Sequence, residues 1–197
     1  MKHICVYAAS SNTLAPIYFE TTRDLGTRLA QRGHTLVYGA GSVGLMGVLG
    51  TAVHEHGGRV IGVIPQKLHA VELAYEGADE LIITTTMRER KAAMESRADG
   101  FIVLPGGIGT LEEAMEVLVL KQLQYHHKPI VFINVNGIFD KLFAFFDTMI
   151  KEGFVKPAQR NLHALVQTPK EALDYIDAYA APAPDPNWFD VGQGKSL

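Results

Sequence analysis

Six short apolar runs recur along this chain, with helically spaced stretches between them, and that alternation restricts the fold more than any other feature. The runs fall at 3–8, 35–38, 60–64, 80–84, 100–104 and 129–134. Helical patterns fall near 14–32, 44–57, 86–97, 109–124, 138–150 and 169–179, the last opened by Thr168-Pro169 with proline at its first position. Strands that are apolar at nearly every position are buried on both faces, and parallel neighbours need a helical crossover. The chain is therefore expected to be an α/β protein of three layers, a mostly parallel sheet flanked by helices. Such sheets hold ligands at the carboxyl ends of their strands. The glycine- and serine-rich turns at Ala9-Ser10-Ser11, 39–47 and 105–110 all lie there.

A length of 197 residues suits one domain, placed at 1–180, and 181–197 reads as a proline-rich tail carrying Trp188-Phe189. Residues 65–79 show neither period and are long for a loop, which marks them as functional. The phenylalanine-rich stretch 138–150 presents a broad aromatic face, either core or subunit interface. A net charge of −3 implies no general attraction to nucleic acid or anionic membrane. The single cysteine, Cys5, cannot form an internal disulfide, and the composition fits a reducing cytoplasm. No apolar run approaches the ~20 residues of a spanning helix, and the amino terminus lacks signal-peptide anatomy.

The residues richest in chemistry are Pro105-Gly-Gly-Ile-Gly-Thr-Leu-Glu-Glu113, directly after an apolar run. A strand ending in a glycine turn that opens a helix gathers free N–H groups at the positive end of the helix dipole, a natural cradle for phosphate. Thr110 and Glu113 also have the spacing of a capping box. A cap does not need three glycines within four residues, so close approach to a ligand, with Glu113 facing it, is the expectation. Gly39-Ala-Gly41-Ser-Val-Gly44 matches a dinucleotide fingerprint, but the next strand ends Gly62-Val-Ile-Pro65 without the acid that holds a ribose. It reads better as a turn lining a smaller nucleotide pocket, with Ser42 and the backbone around Gly41 as donors, or as a purely structural turn. In Met87-Arg-Glu-Arg90-Lys91, the lysine shares a stripe with Met87 and Met94, with Arg90 beside it. An inward cation needs an anion, phosphate or Glu113; the alternative is that Arg90 and Lys91 snorkel to solvent. The eight histidines form no metal-ligand pattern. Ser10 and Ser11 are ligand contacts or a simple helix cap.

Taken together, these motifs closely resemble the LOG (Lonely Guy) family, cytokinin riboside 5′-monophosphate phosphoribohydrolases. The glycine turn with Glu113, the Arg90-Lys91 pair, Ser10-Ser11, Tyr38-Gly-Ala-Gly-Ser-Val-Gly-Leu-Met-Gly47, His127-Lys-Pro129 and Glu152-Gly-Phe154 carry the likeness, from about residue 3 to 178. The resemblance implies a Rossmann-like fold, a homodimer, and no metal or redox cofactor. It implies hydrolysis of the N-glycosidic bond of a nucleoside 5′-monophosphate to free base and ribose 5-phosphate. By matching, Arg90 and Glu113 are the catalytic pair. Glu72, Lys91, Gly106, Gly107, Ile108, Gly109, Thr110, Ser11, Gly41, Ser42 and Met46 become substrate contacts. Relatives have often been labelled lysine decarboxylases, but nothing here points to a pyridoxal phosphate site. The chain departs from the pattern at Ala8-Ala9, where Cys-Gly is more usual, at Ala40, where glycine is, and at 117–124, near the base-binding side. Two other readings stay open: a general nucleoside monophosphate nucleosidase, and a molybdenum-cofactor carrier that holds a phosphorylated pterin without turnover.

Overall fold

The computed structural model describes residues 1–70 and 74–182. Among these, seven strands make one sheet: β1 (His3–Tyr7), β2 (Thr35–Tyr38), β3 (Arg59–Pro65), β4 (Glu80–Thr84), β5 (Gly100–Val103), β6 (Ile130–Ile133) and β7 (Ala164–Val166). Their order is β4-β3-β2-β1-β5-β6-β7 and every pairing is parallel. The helices between strands are α1 (Pro16–Gln31), α2 (Gly44–Glu55), α3 (Gln66–His69), α4 (Met87–Arg97), α5 (Ile108–Gln122) and α6 (Asp140–Lys151), and α7 (Pro169–Ala178) follows β7. One core lies between the sheet and α1, α2 and α7, built on Ile4, Leu25, Leu36, Leu49 and Ile176. The other packs α4, α5 and α6 on Cys5, Phe101, Phe132 and Met94. This is the expected three-layer architecture. All four positions of β2, β5 and β6 are buried, so their apolar runs are continuous rather than alternating.

The chain steps outward from β1 to β4, then returns to place β5 on the other side of β1. That reversal opens a crevice between the loops after β1 and β5, where doubly wound sheets hold ligands. Ala9 N–H donates to Pro105 O at 3.2 Å across its floor.

Three features were not legible beforehand. β7 has only three residues, too few for a period to show. Residues 66–69 form a single helical turn. Residues 74–79 form a strap that returns over the turn after β2: Tyr75 N–H donates to Ala40 O at 2.9 Å, and Ala74 pairs with Gly41. The glycines at 44 and 47 are demanded by packing. Gly44 has φ +62°, and a Cβ there would lie 2.4 Å from the Ser10 carbonyl carbon; at Gly47 it would lie 2.2 Å from Ser42 O. At 138–150, α6 buries no residue completely: Phe143 and Phe146 pack partly on the core, whereas Phe145 is 58 % exposed. The proposed tail beyond 182, including Trp188-Phe189, lies outside the described residues.

Lys121, on α5, is 5 % exposed and its Nζ has no hydrogen-bond partner among the described residues. It sits 4.9 Å from the centre of the Tyr179 ring. Burial pulls its pKa from 10.5 down to about 8. Below pH 8 the amine is charged in both folded and unfolded chains, so the folded state carries the full cost of burying it. Between 8 and 10.5 only the unfolded chain keeps the proton, so this contribution makes stability rise with pH. Lys121→Met is expected to stabilise the fold by about 2 kcal/mol at pH 7. Paired thermal melts at pH 7 and 10 check it: the advantage shrinks at the higher pH, and an unchanged gap contradicts the assignment.

Candidate active site

The glycine turn follows β5 as expected, but α5 starts at Ile108 with Gly107 as its cap residue and no side-chain cap bond. Thr110 and Glu113 therefore do not form a capping box. Thr110 falls at the third helical position, inside the first turn rather than before it. It is 6 % exposed and tucked under the loop, where a Cβ on Gly106 would lie 2.1 Å from its Oγ1. Gly106 is thus fixed by packing. Gly107 and Gly109 are different: a Cβ at either would have no tertiary neighbour within 4 Å among the described residues, and neither has a positive φ. Packing among the described residues asks for no glycine at these two places. Bare backbone there leaves the uncapped N–H groups of the helix start open to a close-approaching ligand. Ile108 stands 87 % exposed at the crest, and Ser11, Leu14, Tyr18 and Ile138 line the adjoining crevice of about 330 Å³.

Glu113 sits one helical turn further in, its side chain 13 % exposed. Burial raises its pKa from 4.5 to about 6, against the lowering effect of the Arg90 charge. Arg90 Nη1 lies 3.9 Å from Glu113 Oε1, so the two face one another without a tight bond. The guanidinium is anchored by backbone: Nε donates to Val63 O and Nη2 to Gly39 O, each at 3.0 Å. A Cβ on Gly39 would lie 1.9 Å from Nη2. A capping box between Thr86 and Glu89 sets the first turn of α4, which directs Arg90 and Met94 inward.

This corrects one expectation. Arg90, not Lys91, is the inward cation, and Lys91 does not face Glu113. Lys91 Nζ pairs with Glu112 and, at 2.8 Å, with Glu116, which raise its pKa. Met87 is 45 % exposed rather than part of an apolar stripe, its Sδ 3.7 Å from Arg90 Nη1. The signal for the Lys91 partners was present: Glu112 and Glu116 are four apart on a helix, hence on one face. The carbonyls of Gly39 and Val63 gave no side-chain signal at all.

The other expected contacts divide. Met46 packs over the same turn, its Sδ 3.5 Å from where a Cβ on Gly39 would be. Gly41 pairs its backbone with Ala74 of the strap. Ser42 lies apart from the glycine turn, in a cleft with Asn12, Arg23 and Thr51. Glu72 lies outside the described residues. No group of three or more His, Cys, Asp or Glu that could hold a metal occurs among the described residues.

A parallel sheet with a glycine turn opening a helix, and beside it a buried arginine–glutamate pair, defines a Rossmann-like protein. A family model described as "Possible lysine decarboxylase" matches residues 46–176. A probable cytokinin riboside 5′-monophosphate phosphoribohydrolase of Oryza sativa subsp. japonica is 42% identical over 91% of this chain and 73% of its own length. A cytokinin riboside 5′-monophosphate phosphoribohydrolase of Arabidopsis thaliana is 43% identical over 90% and 78%. The chain belongs to this LOG family. Among solved structures, the molybdenum cofactor binding protein of Rippkaea orientalis superposes with a TM-score of 0.69 at 22% identity, covering 90% of this chain and 97% of that one. The molybdenum cofactor carrier protein of Chlamydomonas reinhardtii gives 0.67 at 20%, covering 89% and 96%. At that identity the likeness is one of fold.

Proposed function

We propose that the protein hydrolyses the N-glycosidic bond of cytokinin riboside 5′-monophosphates, releasing the free base and ribose 5-phosphate. One observation carries this: a buried Arg90–Glu113 pair stands beside a helix start whose Gly107 and Gly109 are not required by packing among the described residues. In this reading the N–H groups at 107–110 hold the 5′-phosphate, fixing the sugar far from the bond that breaks. Cleavage develops positive charge on the ribose, and ionised Glu113 stabilises that charge and orients the attacking water, as carboxylates do in glycoside hydrolysis. Arg90 favours the ionised form of Glu113. Relatives at 42–43% identity named as phosphoribohydrolases support the reaction.

The test is to incubate pure protein with isopentenyladenosine monophosphate and with AMP and to quantify free base. Release from the cytokinin nucleotide is expected. Equal release from AMP widens the reading to a general nucleosidase. Release from neither, with tight binding of a phosphorylated pterin, replaces it with a carrier.

The same reading places the protein in the cytoplasm as a homodimer, acting on a small nucleotide rather than on nucleic acid or membrane. A net charge of −3 and a buried Cys5 support this. An apolar groove of about 300 Å³ between α5 and α6, lined by Met115, Leu118, Val119, Phe143 and Phe146, supports the dimer. Sedimentation at twice the chain mass of 21.5 kDa is the expected result.

A further inference from the structure

Met46, Gly50 and His54 lie four residues apart on α2 and so share one stripe, which faces the strap. At the first position, Met46 covers Gly39 and Gly41. In the middle, Gly50 leaves room for two rings: a Cβ there would lie 3.0 Å from Tyr38 Oη and 3.5 Å from Tyr75 Cε1. His54 closes the stripe. Its Nδ1 lies 2.8 Å from Tyr75 Oη and its Nε2 lies 3.0 Å from Asp79 Oδ2, with the His54 and Tyr75 rings stacked at 5.4 Å. Asp79 Oδ2 also accepts from Val60 N–H at 2.8 Å, at the start of β3. One imidazole thus fastens both ends of the described strap, Tyr75 near its beginning and Asp79 at its end. With Asp79 ionised, Nε2 carries the proton and Nδ1 accepts from the phenol.

The strap in turn grips the turn that holds Arg90. Tyr75 N–H donates to Ala40 O, and Ala74 pairs with Gly41. Ala40 needs that grip, because it is not glycine yet has φ +58°, a conformation an L-residue adopts only at a cost. Immediately before it, Gly39 O accepts from Arg90 Nη2 at 3.0 Å. We infer that His54 and Tyr75 are positioning residues for this site: through the strained Ala40 turn they set the Gly39 carbonyl, and through it the place of Arg90 opposite Glu113. This rests on the proposed hydrolysis.

A fastening that merely stabilises the fold would lower the melting temperature and leave the chemistry alone. A positioning role moves the acid limb of the pH–rate profile. The charged and titratable groups whose charge reaches Glu113 are Arg90 and, turned toward Glu112 and Glu116, Lys91 on α4, those two glutamates on its own helix, and Cys5 and Tyr7 on β1. Of these, Arg90 does most to keep it ionised. If Arg90 loses its place, Glu113 protonates at higher pH.

The experiment measures base release against pH for the full chain as wild type, His54→Ala, Tyr75→Phe and His54→Gln, with melting curves for each. Tyr75→Phe keeps the ring and removes only the hydroxyl, so it guards against loss of the fold. In both His54→Ala and Tyr75→Phe, kcat is expected to fall about tenfold with the acid limb displaced upward by about half a pH unit. His54→Gln, which keeps a donor for Asp79 and an acceptor for the phenol, is expected to restore most of both. An unmoved limb with kcat near wild type overturns the inference, whatever the melting temperature does. Inactive wild type would instead overturn the proposed hydrolysis.

Discussion

Glu113→Gln is expected to lower turnover by about 10³-fold or more while raising the stability of the protein. The loss follows from geometry. An amide in place of the carboxylate would keep the size and polarity of the side chain but carry no charge for the sugar cation that cleavage creates. The proposed phosphate contacts at 107–110 are backbone N–H groups, so mononucleotide binding is expected to persist within a few-fold. The gain in stability has a definite sign and window. Folding raises the carboxyl pKa from 4.5 to about 6. Below pH 4.5 the group is protonated in both states and contributes no difference. Between 4.5 and 6 the folded chain retains a proton that the unfolded chain releases, so its contribution to stability falls as pH rises. Above 6 the whole cost of ionising a side chain that is 13 % exposed is present, about 2 kcal/mol for that displacement. The variant escapes it. Melting curves at pH 4.5 and pH 7.5 should show little difference at the first and a clear advantage for the variant at the second. Wild-type kcat/KM should rise with an apparent pKa near 6 on its acid side. Near-wild-type turnover in the variant would remove Glu113 from the chemistry.

The second large effect belongs to Arg90→Met. Methionine fills much of the volume but donates nothing, so the carbonyls of Val63 and Gly39 lose their partner in a buried place. A buried acceptor left unpaired costs about 1–3 kcal/mol, so the expected loss of stability is about 2–4 kcal/mol for the pair. Turnover is expected to fall by about 10²-fold or more, because the charge that holds Glu113 ionised is gone. The acid limb should therefore move above the wild-type position near 6. Arg90→Lys is not expected to rescue it. An ammonium on a shorter stem does not reach carbonyls from two neighbouring strands while presenting a third donor to Glu113. Urea melts and a pH–rate profile on the same preparations separate the structural from the chemical part. If both substitutions leave the acid limb in place, Arg90 acts only as a tie between β2 and β3.

Both effects depend on residues whose identity was readable in the chain and whose arrangement was not. The apolar runs at 35–38, 100–104 and 129–134 announce buried parallel strands, and their alternation with helices dictates a layered sheet. The run of glycines before Thr110 announces a ligand turn. These signals are local: periodicity, chain entropy and the chemistry of neighbouring residues act over a few positions. Which of two adjacent cations turns inward is not local. Arg90 and Lys91 differ by one helical position, about 100° around the axis. Only the capping box at Thr86 and the register of α4 on the sheet decide that Arg90 meets Gly39, Val63 and Glu113, while Lys91 meets Glu112 and Glu116. The Thr110–Glu113 spacing misleads for the same reason, since Gly107 rather than the threonine takes the cap position of α5. The strap is further still from the sequence. His54, Tyr75 and Asp79 lie up to 25 positions apart and come together only when α2 and β3 are packed. Sequence alone therefore determined the layers and the glycine turn that opens a helix after β5. The opposition of Arg90 to a Glu113 whose pKa burial raises to about 6 is decided by tertiary structure, because burial and the carbonyls of Gly39 and Val63 come to Arg90 only once the sheet is assembled.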